Sequence, residues 1–279
     1  MNVSDLLHDA VDDIEPADRI DAIRARTASA PTRAARPWFH AAGGVVLATA
    51  ATVAAFAVLD DSPPPDHGSM TMPTGTQVVP VYFTGRDAAA DRLFREFDTV
   101  PAGDPAQAAL DRLQQPPTDP DYATSWTPGA FGKVTVDGRA INVELDVNDL
   151  SDRLAVQQVV YTVQAAVGER LPVYFWLEGQ RGNAPYMADP GVLSPVLISD
   201  PSDGLAVHGH VTARGAAPAG GPVRWEVRRD DGTVVAHGAA TISGRAWRAR
   251  VGVHDLPFGF YTFVASVGPD SDTRTIIVR

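Results

Sequence analysis

Cysteine is absent from all 279 residues. That excludes disulfide staples, thiolate nucleophiles, thiolate metal sites and a lipid-modified N-terminal cysteine. Lysine is almost absent too: Lys133 stands alone, and the rest of the 23 bases are arginine. A guanidinium keeps its proton under ordinary conditions, so lysine general-base chemistry is nearly excluded. Neither a Gly-x-Ser-x-Gly elbow, a Ser-x-x-Lys pair nor a phosphate-binding glycine loop occurs. A serine-hydrolase or nucleotide-binding reading therefore has no starting constellation. Positive charge is the scarce sign. Acids number 34 and the formal net charge is -11, which argues against nucleic acid and against adhesion to an anionic bilayer by charge alone.

Long apolar runs are scarce as well, and the single one organises the chain. Ala41 to Leu59 carries no charge, and as a helix at about 1.5 Å per residue it would be roughly 28 Å long, close to a bilayer's hydrocarbon thickness. Arg24, Arg26, Arg33 and Arg36 precede it; Asp60, Asp61 and Asp66 follow. Positive charge stays on the cytoplasmic side, so the expectation is one span over 38–59 with the N-terminus inside. A cleaved signal is the rival reading, because Ala55-Phe56-Ala57 fits a small-x-small site, although forty residues before the run is long for a signal. The tail, 1–37, has apolar residues at helical spacing (Leu6, Leu7, Ala10, Val11, Ile14) that suit topology setting or the docking of a cytosolic partner. Residues 60–76 form a proline-rich spacer around Pro63-Pro64-Pro65. Within it, His67, Met70 and Met72 are a weak alternative metal set of the soft type copper favours; the expectation is no cofactor.

Residues 77–181 predict an α+β domain in the order strand, helix, hairpin, helix, strand. Val78 to Phe83 forms the first strand. Asp104-Pro105 starts a helix faced by Ala106, Ala109, Leu110 and Leu113. Lys133 to Asp146 alternates about Asp137-Gly138 as a hairpin. Ser151 is the expected cap of a helix striped by Val156, Val159, Val160, Val163 and Val167, and Val173 to Leu177 is the last strand. Asp146, Asp149 and Asp152 lack the glycine and glutamate of a calcium loop.

After a Gly/Pro-containing link at 181–191, residues 192–279 predict seven short strands: 196–199, 205–213, 223–229, 233–239, 246–253, 260–267 and 273–279. Turn signals at Asp203-Gly204 and Asp231-Gly232 make this an all-β, immunoglobulin-like sandwich. Trp225 is the expected core tryptophan and Tyr261 the expected tyrosine corner. His208 and His210 share one strand face, read as solvent-side. Arg224, Arg228, Arg248 and Arg250 all point outward, and if their strands are neighbours they form one guanidinium patch suited to carboxylates or phosphates.

The residues also carry a resemblance. Val81-Tyr82-Phe83, the turn Gln115-Pro116-Pro117-Thr118, the helix from Leu154 to Val163 and Val173-Tyr174-Phe175-Trp176-Leu177-Glu178-Gly179 resemble the GerMN domain named from sporulation and spore germination proteins. The loop from Tyr122 to Phe131 keeps the family wording only in part. Pro201 with Gly204, Val207 to Gly215, Val227 to Val235 and the strand bearing Trp247 are similar to the immunoglobulin-like domain of bacterial spore germination that often follows GerMN. This resemblance implies membrane-anchored envelope proteins of the kind found in high-GC Gram-positive bacteria, with no known catalytic residues. The expectation is a non-catalytic extracytoplasmic scaffold. Its partners would be envelope or membrane proteins, its own copies or cell-wall polymer. The alternative is an accessory to a membrane sensor kinase.

Overall fold

The computed structural model describes residues 75–88, 90–146, 150–218 and 220–279. The apolar run 41–59, the tail and nearly all of the spacer, with His67, Met70 and Met72, lie outside the described residues. Among the described residues, no helix is long and apolar enough to cross a membrane.

The first domain opens with β1 (Thr76–Arg86) and β2 (Asp91–Pro101), an antiparallel hairpin paired along its whole length. The sequence reading missed β2, and the reason is physical. Leu93, Phe94, Arg95 and Glu96 are buried consecutively, because both strand faces are covered, so the alternation that marks a half-exposed strand is missing. Phe94 joins the main core with Phe83, while Leu93 packs with Tyr82 and Val192 on the opposite side. Tyr122 and Ala123 form the short β3, which pairs with the end of β1.

Helix α1 (Pro105–Leu113) starts as expected: Asp104 accepts from Gln107 N at 2.9 Å and proline occupies the first turn. It buries Ala106, Ala109, Leu110 and Leu113. The hairpin of β4 (Phe131–Val136) and β5 (Ile141–Leu145) follows, turning at Asp137 and Gly138, whose φ is +79°. Helix α2 (Arg153–Val167) ends at left-handed Gly168. Its cap is Asp152, not Ser151, since the Asp152 carboxylate accepts from Leu154 N at 2.8 Å and Ala155 N at 3.3 Å. From α2 the chain enters β6 (Val173–Leu177), parallel to β5, so β5, α2 and β6 form a crossover unit. β7 (Gln180–Arg181) closes a second sheet in the order β4-β5-β6-β7.

The segment expected to be a plain link is built in. Tyr186 exchanges backbone hydrogen bonds with Val173, and a 3-10 turn at Pro190–Val192 packs against β2.

The second domain is a sandwich of two sheets. One holds β8 (Leu197–Asp200), β10 (His210–Ala216), β13 (Thr241–Ser243) and β14 (Ala246–Gly252) in the order β13-β14-β10-β8. The other runs β12-β11-β15-β16-β9, with β9 (Leu205–Val207), β11 (Arg224–Arg228), β12 (Val234–Ala239), β15 (Gly259–Val267) and β16 (Asp270–Val278). This is the strand arrangement of an immunoglobulin-like sandwich. The single strand expected over 205–213 is two strands that belong to opposite sheets. Gly209, at φ +65°, makes the break between them, a conformation only glycine adopts without strain.

Candidate functional site

The four arginines do not form one patch. β11, with Arg224 and Arg228, lies in one sheet, and β14, with Arg248 and Arg250, lies in the other. Their exposed side chains point away from a shared core, so they occupy opposite outer faces of the sandwich. Strand assignment from alternation gives direction relative to a sheet, not which sheet, and this is where the reading failed. Arg228 is also partly neutralised, with its Nε donating to Glu226 at 2.7 Å. His208 and His210 are both exposed; His208 Nδ1 lies 2.7 Å from the Arg279 carbonyl.

The core tryptophan is Trp247 rather than Trp225. Trp247 is 2% exposed, lies over Gly215 and donates its Nε1 proton to Ala216 O at 3.2 Å. Trp225 is half-buried and lies over Gly238 on the neighbouring strand. Each ring covers a glycine directly across the ladder, which explains why both glycines are there: a Cβ at Gly215 would sit 2.7 Å from the Trp247 ring and 1.8 Å from Leu197 O, and one at Gly238 would sit 2.6 Å from the Trp225 ring. Tyr261 is buried, and its hydroxyl donates to Pro257 O at 2.9 Å, four residues upstream, the geometry of a tyrosine corner.

The densest constellation lies where the two domains meet. On β16, Asp272 and Arg274 take inward-facing positions yet carry charge; they are 2% and 3% exposed. Opposite them stand Asp119 and Tyr122 of the first domain, also buried. Arg274 donates to Asp119 and Asp272, each at 2.9 Å, to Tyr122 Oη at 2.5 Å, and to the carbonyls of Ile198 and Arg95 at 3.1 and 3.4 Å. Tyr122 donates to Asp272 at 2.5 Å, and Ile198 N donates to the other carboxylate oxygen, also at 2.5 Å. Behind this first layer, Glu96 accepts from Thr118 N and Asp119 N, while Arg95 donates to Ser199 at 2.8 Å and lies over Phe97. Thr273 donates to Asp121.

Charges in such a setting survive only when paired and hydrogen-bonded. Burial pushes the Asp119 carboxyl up to about 6, although Arg274 pulls the other way. Burial pushes the Tyr122 hydroxyl well above its ordinary value and the Asp272 charge adds to it, so the phenol remains a donor. Burial opposes the Arg274 charge, but Asp272, Tyr122 and Asp119 outweigh it and hold the guanidinium above the ordinary arginine value. A cavity of about 40 Å³ beside this cluster is lined by Arg95, Asp98, Ser199, Asp203 and Arg274, among others.

The chemistry of the cluster is that of a joint. Its acids accept from arginine, tyrosine and backbone donors drawn from both domains. Among the described residues, no group of three or more histidines and acids is placed to hold a metal ion. Sequence reading missed all of this. Arg274 and Asp272 follow one another at alternate positions in a strand, which looks like an ordinary solvated face.

The fold therefore defines a two-domain protein, an α+β domain joined to an immunoglobulin-like sandwich across buried charge. The first domain can be placed further: residues 80–183 match the Germane family, described as sporulation and spore germination, and this segment is a Germane domain. No curated protein matches the chain. Among solved structures, the tandem GerMN domains of the sporulation protein GerM from Bacillus subtilis are similar at 13% identity and a TM-score of 0.35. That likeness covers 45% of this chain and 49% of the other, so the chain spans about half that structure's length. Salmonella alpha-2-macroglobulin reacted with methylamine shares 18% identity over 31% of this chain and 6% of its own, at a TM-score of 0.27. The twitchin kinase region from C. elegans shares 13% over 34% and 18%, at 0.24. The Germane assignment rests on the family match.

Proposed function

We propose that the chain is a non-catalytic, membrane-tethered binding or scaffold protein of the cell envelope, with residues after 60 outside the membrane. The observation that carries this reading is the charged joint, Arg274 with Asp272, Asp119 and Tyr122. It makes the Germane domain and the sandwich one body, as a protein needs when it presents two surfaces at a fixed distance and angle. The uncharged run Ala41–Leu59, flanked by arginines before and aspartates after, supplies the tether. Confinement to a thin layer raises effective concentration, so individually weak contacts act together.

Crosslinking of the intact protein in its native membrane, with partners identified by mass spectrometry, tests the reading. The expected result is recovery of envelope proteins or wall polymer through both domains. Protease added to spheroplasts is expected to remove the region after residue 60 and spare the tail. A mature N-terminus at Val58 would mean a cleaved signal, and turnover of peptidoglycan, peptide or ester substrates by the purified protein would overturn the non-catalytic assignment.

A further inference from the structure

The two sides of the β4-β5-β6-β7 sheet differ sharply. One side carries Ile141, Val143, Leu145, Val173 and Phe175 into the core beneath the helices. On the other, register places Thr135, Asn142 and Tyr174 in one cross-strand row, and Glu144, Trp176 and Arg181 in the next. Rows on one face of a sheet lie about 6.5–7 Å apart. Tyr174 and Trp176 are only half-buried, and Thr135, Glu144 and Arg181 are exposed.

The two rings are held in place. Trp176 Nε1 donates to Asn142 Oδ1 at 3.2 Å, and the Arg181 guanidinium lies 3.5 Å from the centre of the Tyr174 ring. Arg181 is brought there by the tight β6–β7 turn, in which Glu178 and Gly179 both take positive φ, +51° and +77°. Such a turn suits a two-residue hairpin. Left-handed Glu178 carries the strain, because a non-glycine residue there is uncommon.

We infer that this face is a carbohydrate-binding platform, and that its occupant is an extended polysaccharide strand. The inference rests on the envelope-binding reading above and supplies a ligand class for it. The rows contain aromatic rings, an amide, a hydroxyl, a carboxylate and a guanidinium, but no aliphatic side chain. A pyranose ring offers an apolar C–H face and a rim of hydroxyls, which matches the half-buried Trp176 ring beside the Arg181 guanidinium stacked on Tyr174 and the planar acceptors. Asn142 and Glu144 accept from hydroxyls, and Arg181, fixed by its stack, donates to hydroxyl or carboxylate oxygens. One negative and one positive side chain leave the rows without net charge, so recognition does not depend on attracting a polyanion.

The test uses the full-length protein with two probes, purified peptidoglycan in co-sedimentation and soluble chitotetraose in calorimetry. Wild type is expected to bind both, with little weakening at raised salt. Trp176→Ala is expected to lower affinity about tenfold or more, and Arg181→Ala several-fold, by analogy with hot-spot truncation. Trp176→Phe keeps a ring and is expected to fall between them; it also guards against a folding artefact, as does Arg181→Ala at an exposed site. Binding by all three variants equal to wild type would overturn the platform. So would the absence of glycan binding by wild type; if crosslinking still recovers an envelope protein, the envelope reading stands alone. If neither glycan nor partner is found, both fall.

Discussion

At the residue scale, a buried ring and a half-buried ring of the same type have different consequences. Trp247→Ala is expected to cost about 3–5 kcal/mol, as deletion of a large core side chain does. Trp225→Ala is expected to cost clearly less, because its ring is partly solvated. Tyr261→Phe, which removes one hydroxyl donation, is expected to cost about 0.5–1.5 kcal/mol. Urea midpoints of the three variants check the ordering, and a Trp225 effect equal to that of Trp247 would contradict the placement of the core. Asp119 supplies a pH signature. Its folded pKa is raised to about 6 from 3.8, so the folded chain keeps a proton there that the unfolded chain has released. Its contribution to stability is full below about pH 4, declines as pH rises through about 6, and is flat above. Asp119→Asn is expected to remove that decline while keeping an acceptor for Arg274. Denaturation midpoints at pH 4.5 and 7.5 measure it; an unchanged slope in the variant would place the titrating group elsewhere.

At the element scale, glutamine side chains stand in for missing strand partners. β4 has β5 on one side only. On its free side, Gln107 of α1 accepts from Val134 N at 2.9 Å and donates to Gly132 O at 3.2 Å, as a neighbouring strand would. Gln158 of α2, fully buried, accepts from Ser125 N at 3.1 Å and donates to Ala123 O at 3.2 Å. Gln114 accepts from Gly129 N and Ala130 N. Gln158→Leu keeps the bulk but leaves these backbone groups unmet, at about 1–3 kcal/mol for each one stranded. Hydrogen exchange at the Ser125 amide should accelerate with it, and an exchange rate unchanged from wild type would show that the bond contributes nothing. None of these roles was legible in the sequence. A glutamine in a helix reads as a solvent-side residue, and its partner lies in a loop remote along the chain. The elements with one wet face were legible: α1 with its Asp104 cap, the β4–β5 hairpin, β6 and most sandwich strands. β2 was not, because it is covered on both sides, and the arginine grouping was not, because alternation says nothing about which sheet a strand joins.

At the scale of the whole molecule, Arg274 ties two domains whose apolar clusters are largely separate, with Leu197 and Ala216 of the sandwich packed into the cluster of the Germane domain. Arg274→Ala leaves Asp119 and Asp272 buried without their cation, at a cost of about 3–5 kcal/mol. The deficit should be larger at pH 8 than at pH 5, where the Asp119 carboxyl, raised to about 6 by burial, takes a proton. Calorimetry is expected to show one unfolding transition for wild type and two for the variant, as the sandwich and the Germane domain melt separately. A single, equally sharp transition in Arg274→Ala would mean that apolar contact, and not the charged joint, couples them.

The way β1 and β16 sit in their sheets has a mechanical corollary. β1 lies between β2 and β3, and β16 lies between β15 and β9. β1 pairs along all eleven residues and β16 along all nine. A pull directed along either strand would act parallel to its ladder, so the hydrogen bonds of that strand would be sheared together and not peeled one at a time. Under such a pull the strand is expected to yield abruptly, with little prior stretch.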